Sequence, residues 1–399
     1  MPQSHPCRVL LMIASMDGGG SERQTLLLLR HLSRERFSPE LLVLRRGGSL
    51  YDQIPGDVPV HNLEEWTSRF RVRWPGRIYG AQVAGLKRLL VDRQTELIYD
   101  RTFHMTLIAA PAAAAVGVPR VSTIVSPPSQ AVPQNAGKFL ATKRRKLARA
   151  YSQAARVVAV SHPTAKDARR YYGLAADKIR VVPNPIDCAE LFAQLASSEL
   201  PARDSRYTIV CVGRMSQEKG HACLIRALDQ LRQQAPGFSL PRVWMVGDGV
   251  LREQLEAMTA RLDLSDCVQF IGHVASPAPW IAAADALCLP SRFEGFPNVM
   301  LEAMALGIPV IASDLDVVRS LGRIAPNAVD RGRDYVATFR DHDPAELARK
   351  IRRLRANPTA TYSRMKSAKN LAVRAHAIGL IVPRIETIML EARQIKAGE

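Results

Sequence analysis

The sequence is poor in the residues that carry disulfide and metal chemistry. Six cysteines occur in 399 residues, Cys7, Cys188, Cys211, Cys223, Cys267 and Cys288, and no two form a CxxC pair. Most sit in apolar or strand-like runs, so they read as small core residues in a reducing compartment and not as a disulfide frame or zinc site. The nine histidines are scattered without an HExxH pattern, and no metal or other cofactor is expected. No glycine loop ends in the Gly-Lys-Ser/Thr of a Walker A motif, which argues against ATP hydrolysis. Long apolar runs are missing too. The longest, Leu107–Pro119, falls well short of the roughly 20 residues that span a bilayer. The first, Val9–Ala14, runs into a glycine loop without a cleavage pattern and reads as a strand, not a signal peptide. A cytoplasmic protein is expected, at most peripheral to the membrane.

Acidic residues are in short supply. There are 37 Asp and Glu against 55 Lys and Arg, a formal net charge of +18. Residues 1–190 hold 28 basic and 15 acidic side chains, a net +13, which leaves +5 for the remainder. The first half should therefore attract an anionic partner: a lipid face, a phosphorylated substrate or nucleic acid.

What is present is a repeated strand–turn–helix pattern. VLLMIAS (9–15) leads through MDGGGSE into a helical pattern at Arg23–Leu32. Strands follow at Glu40–Leu44, Glu96–Tyr99, Arg120–Val125 and Arg156–Val160, with an Ala-rich helix near Thr106–Val116. In SHPTAKDARRYYG, Ser161 can cap a helix that Pro163 begins. Periodicity weakens from Cys188 to Ser205, where an inter-domain connection is expected. The pattern restarts at Tyr207–Val212 and continues with strands at Val243–Val246, Val268–Ile271, Asp285–Leu289 and Pro309–Ala312. Alternating strands and helices argue two doubly wound α/β domains with parallel sheets. Their expected extents are 1–190, completed by a C-terminal helix at 376–399, and 205–375. Ligands of such sheets bind beyond the C-terminal strand ends, so tandem domains are expected to line a central cleft.

Three loops of the second half have chemistry in them. In GRMSQEKG (213–220), Arg214 and Lys219 flank a turn between strand and helix. A diphosphate needs positive charge and helix-start amides there, although a solvated loop has the same composition. VGDG (246–249) is a tight turn, and Gly247 permits close backbone approach. In PSRFEGFPNVMLEAMALGIPVIAS (290–313), Glu294 lies in a loop, Asn298 is a candidate N-cap, and Glu302 falls in the helix that follows. Two carboxylates beside Gly295 and Phe296 amides suit sugar or ribose hydroxyls next to a phosphate. The same residues also suit a plain role, with Glu302 favouring the helix N-terminus and Glu294 solvated.

The ordered set VVPNPID, VGRMSQEKG, VGDG, FIGHV and EGFPNVMLEAMALGIPVIAS covers residues 180–313. It resembles the family 4 retaining glycosyltransferases of GT-B fold, with two Rossmann-like domains facing a cleft. GGGSE (18–22) resembles their acceptor-domain glycine loop. The resemblance implies transfer of a sugar from a nucleotide-diphosphate sugar, UDP-sugar favoured, without a metal. It places Glu294 at the donor-sugar hydroxyls and Glu302 at the ribose. It puts Arg214 and Lys219 on the diphosphate with Gly295 and Phe296 amides nearby, and His273 and Val274 near the base. Gly19 and Gly20 approach the donor from the other domain.

One position departs from that pattern. Many relatives carry a histidine in a T-x-H sequence after the strand matching Arg120–Val125, where this chain has Val125. His104, in DRTFHMT, is the replacement candidate, with a helix-cap or core histidine as its plain reading. The departure keeps a non-catalytic sugar-nucleotide-binding protein open as the alternative. On the basic side, TSRFRVRWPGRIYG (67–80) interleaves arginines with aromatics, and FLATKRRKLAR (139–149) is a basic amphipathic helix. Both suit an anionic lipid face and a lipid-linked or glycan acceptor better than nucleic acid.

Overall fold

A computed structural model describes residues 5–66, 75–134, 139–234, 237–320, 336–340 and 342–395. The chain divides into two compact units. Unit 1 comprises Met1–Pro185 and Ile378–Glu399; unit 2 is Ile186–Ala377.

Unit 1 carries seven strands: β1 (Cys7–Ile13), β2 (Phe37–Val43), β3 (Val60–Asn62), β4 (Leu97–Arg101), β5 (Arg120–Ile124), β6 (Arg156–Ala159) and β7 (Ile179–Val181). Their order is β3-β2-β1-β4-β5-β6-β7, and every pair is parallel. β1 shows why. Its residues from Val9 to Ile13 are all buried, as a strand covered on both faces must be. Val9, Leu11 and Ile13 join one apolar cluster with Leu28, Leu29 and Ile385. Leu10 and Met12 join another with Leu86 and Ile108. The last helix, Ile378–Gln394, supplies Ile381, Ile385 and Met389 to the first cluster. Polar ties fix it there. Glu386 accepts from the Ser33 amide at 2.8 Å and from Arg36, and Arg393 pairs with Glu96.

Unit 2 carries β8 (Thr208–Val212), β9 (Arg242–Val246), β10 (Val268–Gly272), β11 (Ala286–Leu289), β12 (Val310–Ser313) and β13 (Ala337–Phe339), in the order β10-β9-β8-β11-β12-β13. These pairs are parallel as well. In each sheet the order reverses about its first strand. β1 lies between β2 and β4, and β8 lies between β9 and β11. Such reversals are where doubly wound sheets bind ligands.

Several elements depart from the sequence expectation. The supposed connection from Cys188 is a helix, Cys188–Ala196, inside unit 2. Asp187 caps it by accepting from the Glu190 amide at 3.0 Å, a start signal that weak periodicity concealed. The helix after β1 begins at Gly20, three residues earlier than the apolar pattern suggests, with Gly19 as its N-cap. Asn298 is not a cap. Pro297, in extended conformation, takes that position and Asn298 is the first helical residue of Asn298–Leu306. Ser161 does cap its helix, accepting from the Thr164 amide at 3.3 Å.

One buried group ties unit 2 to pH. His221, first residue of the helix His221–Gln234, is 2% exposed, and neither ring nitrogen has a hydrogen-bond partner. Burial, with a smaller push from Lys219, lowers its pKa from 6.5 to about 4. The unfolded chain therefore takes up a proton that the folded chain refuses between those values. Stability should fall as the pH drops through this window, by up to about 3 kcal/mol. Urea denaturation of wild type and His221→Leu at pH 7 and pH 4.5 tests this. The variant should lose less stability on acidification, and an equal loss would contradict the assignment.

Candidate functional site

In unit 2, three loops leave the C-terminal strand ends and are laced together by backbone bonds. The loop after β8 bonds to the loop after β9 through Met215 N to Asp248 O (2.8 Å) and Leu251 N to Met215 O (3.0 Å). It meets the loop after β11 through Arg292 N to Glu218 O (2.8 Å). Two glycines are required for this approach. Gly220 has φ +68°, and a Cβ there would lie 1.9 Å from the Pro290 carbonyl oxygen; Gly247 has φ +128°, and its Cβ would lie 2.2 Å from that of Gly213. No other residue type fits those positions without moving backbone.

This lacing brings Lys219 to Glu294. The ammonium lies 2.6 Å from Glu294 Oε1, which also accepts from the Ser291 hydroxyl at 2.8 Å. The side chains are 28% and 11% exposed, so the pair sits at a wall of the loops and not in bulk solvent. β8 and β11 are neighbours at the reversal of the sheet, and the pair stands above their C-terminal ends. Arg214, in the same loop as Lys219, is exposed, and its side chain has no ion pair or hydrogen bond among the described residues. The arrangement thus offers one unneutralised cation, one cation shared with a carboxylate, and acceptor oxygens. That set matches a ligand with phosphate oxygens and hydroxyls.

The other expected residues fall as follows. Glu302 is half-buried in the helix after β11, and its Oε2 is inaccessible to solvent. Gly295 and Phe296 are buried. The Phe296 ring packs tilted on His376 at 5.2 Å, so its side chain belongs to the packing and only its backbone is free for a ligand. Asn298 is half-buried at the helix start. His273 is exposed and Val274 half-buried, just past β10. Gly247 and Gly272 are bonded to each other (2.8 Å), which sets His273 beside the loop after β9.

The remaining residues belong to unit 1. Gly19 and Gly20 start the helix after β1, and His104 is the second residue of the helix Phe103–Val116 after β4. β1 and β4 flank that sheet's own reversal. Gly19 packs against a carboxylate: a Cβ there would lie 2.5 Å from Glu22 Oε2. Glu22 Oε1 accepts from Ser15 at 3.3 Å. Reasoning from sequence passed over Glu22, although GGGSE places an acid in the first helical turn, where it is favoured. His104 is an exposed residue, neither a cap nor part of the core. Partial desolvation of its ring, and then the Lys143 ammonium, hold its pKa below the ordinary value. Its helix instead starts from Thr102, a non-glycine residue at φ +75°. Backbone strain of that kind concentrates at functional sites.

Comparison with known proteins supports a family. Residues 206–357 match the family described as Glycosyl transferases group 1, and residues 18–190 match Glycosyltransferase Family 4. The chain is 29% identical over 164 residues to the N-acetylgalactosamine-N,N'-diacetylbacillosaminyl-diphospho-undecaprenol 4-alpha-N-acetylgalactosaminyltransferase of Campylobacter jejuni, covering 41% of this chain and 42% of that protein. It is 32% identical over 164 residues to the lipopolysaccharide core biosynthesis glycosyltransferase LpsD of Rhizobium meliloti, covering 41% and 43%. The matched part thus spans about two fifths of these curated relatives' length. Among solved structures, Anabaena HepE in complex with UDP-glucose superposes with a TM-score of 0.75 at 21% identity, covering 95% of this chain and 98% of that one. That likeness bears on the fold, two doubly wound parallel-sheet domains. The chain belongs to the group 1, family 4 glycosyltransferases and has their GT-B fold.

Proposed function

We propose that the protein transfers a sugar, as a hexosyl or N-acetylhexosaminyl group, from a nucleotide-diphosphate sugar to a lipid-linked or glycan acceptor of the cell envelope. The observation that carries this reading is the Lys219–Glu294 pair above β8 and β11, with the unpaired Arg214 in the same loop. Arg214 and Lys219 take the diphosphate, Glu294 the donor-sugar hydroxyls, and Glu302 the ribose. Backbone amides of Gly295, Phe296 and Asn298 assist at the phosphate. Gly247, His273 and Val274 border the base, and Gly19, Gly20 and His104 of unit 1 serve sugar recognition. The curated relatives named for a diphospho-undecaprenol substrate and for lipopolysaccharide core biosynthesis support an envelope acceptor, and HepE, solved with UDP-glucose, supports UDP as the nucleotide of the donor.

In the reaction, the bond from the anomeric carbon to the diphosphate oxygen breaks and an acceptor oxygen bonds that carbon from the same face. Retention of configuration follows. The acceptor proton passes to the departing phosphate oxygen, and nucleoside diphosphate leaves. Arg214 and Lys219 stand where the leaving-group charge grows, which lowers the barrier without a bound metal. His104, held neutral, can orient a hydroxyl without adding charge. A second reading, binding without transfer, draws on Val125, which is half-buried where relatives carry histidine. Incubation with a panel of sugar nucleotides separates the two. Nucleoside diphosphate should be released with at least one donor, and donor binding with no release from any of them would favour the binding protein.

The ribose assignment is tested by titration calorimetry. Glu302→Ala should weaken UDP binding by roughly ten- to a hundredfold, the worth of charge-assisted hydrogen bonds, and leave binding of 2',3'-dideoxy-UDP nearly unchanged. Equal losses for both ligands would overturn it.

The acceptor's lipid suggests a membrane face on unit 1. The helix Leu140–Ser152 buries Leu147, Ala150 and Tyr151 and exposes Arg145, Lys146 and Arg149. Phe139 at its start is 75% exposed. Of the other basic stretch, residues 67–74 lie outside the described residues. No helix among the described residues is long and apolar enough to cross a membrane. Replacing Arg145, Lys146 and Arg149 by Gln should lower binding to anionic vesicles on the order of a hundredfold, at about 1 kcal/mol per charge. Salt should mimic the effect in wild type. Unchanged, salt-insensitive binding would remove this surface from the account.

A further inference from the structure

Glu294 uses its two carboxylate oxygens differently. Oε1 takes two donors, the Lys219 ammonium at 2.6 Å and the Ser291 hydroxyl at 2.8 Å. Oε2 makes no hydrogen bond among the described residues. Ser291 is 1% exposed, and its hydroxyl is spent on this carboxylate three residues further along the loop.

The backbone fixes where that hydroxyl stands. Pro290 and Ser291 follow directly on β11, which ends at Leu289. On one side of Ser291, the Pro290 carbonyl lies so close to Gly220 that no Cβ fits there. On the other, the Arg292 amide donates to the Glu218 carbonyl at 2.8 Å. Ser291 is thus pinned from both sides by the segment that carries Lys219. The two donors are not equivalent. Lys219 is a point charge on a flexible stem and could follow either oxygen. Ser291 has a short side chain on a fixed backbone. The last torsion of a glutamate is soft and close to two-fold symmetric, so a lysine alone would leave the carboxylate free to turn. The serine breaks that symmetry.

We propose that Ser291 is a positioning residue for the donor sugar: with Lys219 it occupies Oε1 of Glu294 and so presents Oε2 to a sugar hydroxyl. The inference rests on the reading of Glu294 as the donor-sugar carboxylate and adds a division of labour between its oxygens. Oε1 is the anchor, and Oε2 is the acceptor, aimed before the sugar arrives. Ser291 acts through Glu294 and does not itself meet the ligand. Its influence should therefore fall on the sugar and spare the nucleotide.

Titration calorimetry reads this as a ratio of dissociation constants. The probes are the tightest-binding member of a panel of UDP- and GDP-sugars and the matching nucleoside diphosphate. The ratio of the sugar nucleotide's Kd to that of the diphosphate is compared in wild type, Ser291→Ala and Glu294→Gln. It should rise about tenfold in both variants, the order of one charge-assisted hydrogen bond. A raised ratio in Glu294→Gln with an unchanged one in Ser291→Ala would overturn the positioning role alone, and equal weakening of both probes by Ser291→Ala is that outcome. An unchanged ratio in Glu294→Gln, or no binding of any panel member by wild type, would sink the reading of the site and the role of Ser291 with it. If Ser291→Ala does not fold, a crystal structure of wild type with the same sugar nucleotide decides. A sugar hydroxyl should lie on Oε2 with Ser291 still on Oε1, and a sugar on Oε1 in place of Ser291 would contradict the proposal.

Discussion

The position of β8 in the middle of a parallel sheet is the constraint on which the loop geometry of unit 2 rests. A parallel strand must be followed by a crossover, and crossovers from β8 and from β10 leave in opposite directions. Between β8 and β11 the two sets of loops part, and polar side chains can stand there without displacing a covering helix. Lys219 and Glu294, 75 residues apart, meet at that gap. The apolar strands below make it possible. Cys211, Met245 and Cys288 are core residues, so the strand ends are the first place where charge can be hydrated or liganded.

Charge is used differently at the two sheet reversals. In unit 2, Arg214 is exposed and without an ion pair among the described residues, while Lys219 is held by a carboxylate. A large anion can reach both. In unit 1 the nearest counterpart, Arg101, is buried and donates to the Asn184 side chain. Its neighbour Asp100 is sealed too, but pairs with Arg120 at 3.2 Å and accepts from Ser122 and Thr106. Asp100 thus survives burial through a complete internal network.

The doubly wound architecture was legible because both sheets are buried on two faces, and buried parallel strands read as unbroken apolar runs such as VLLMI. The loop residues were legible for a different reason. Glycine at 220 and 247 is dictated by backbone approach, and a motif that must include glycine leaves a sharp trace. What stayed hidden was set by tertiary contact. The helix Cys188–Ala196 has a polar cap but little periodicity. Phe296 looked like part of a ligand loop, whereas its ring is spent on His376, which no local pattern links to it. Arg101 is one of the 28 basic residues of the first half, and only the packing of β4 against β5 and the segment before Ile186 makes it a buried cation. The pairing of Lys219 with Glu294 is likewise beyond the reach of local pattern, because the two residues lie 75 apart in the chain.

The most direct measurement is a crystal structure of the full chain with a UDP-sugar bound. The account predicts the diphosphate within hydrogen-bond reach of Arg214, with the ribose at Glu302 and the sugar hydroxyls at Glu294. A nucleotide bound elsewhere, with the Lys219–Glu294 pair and Arg214 making no contact to it, would contradict the account.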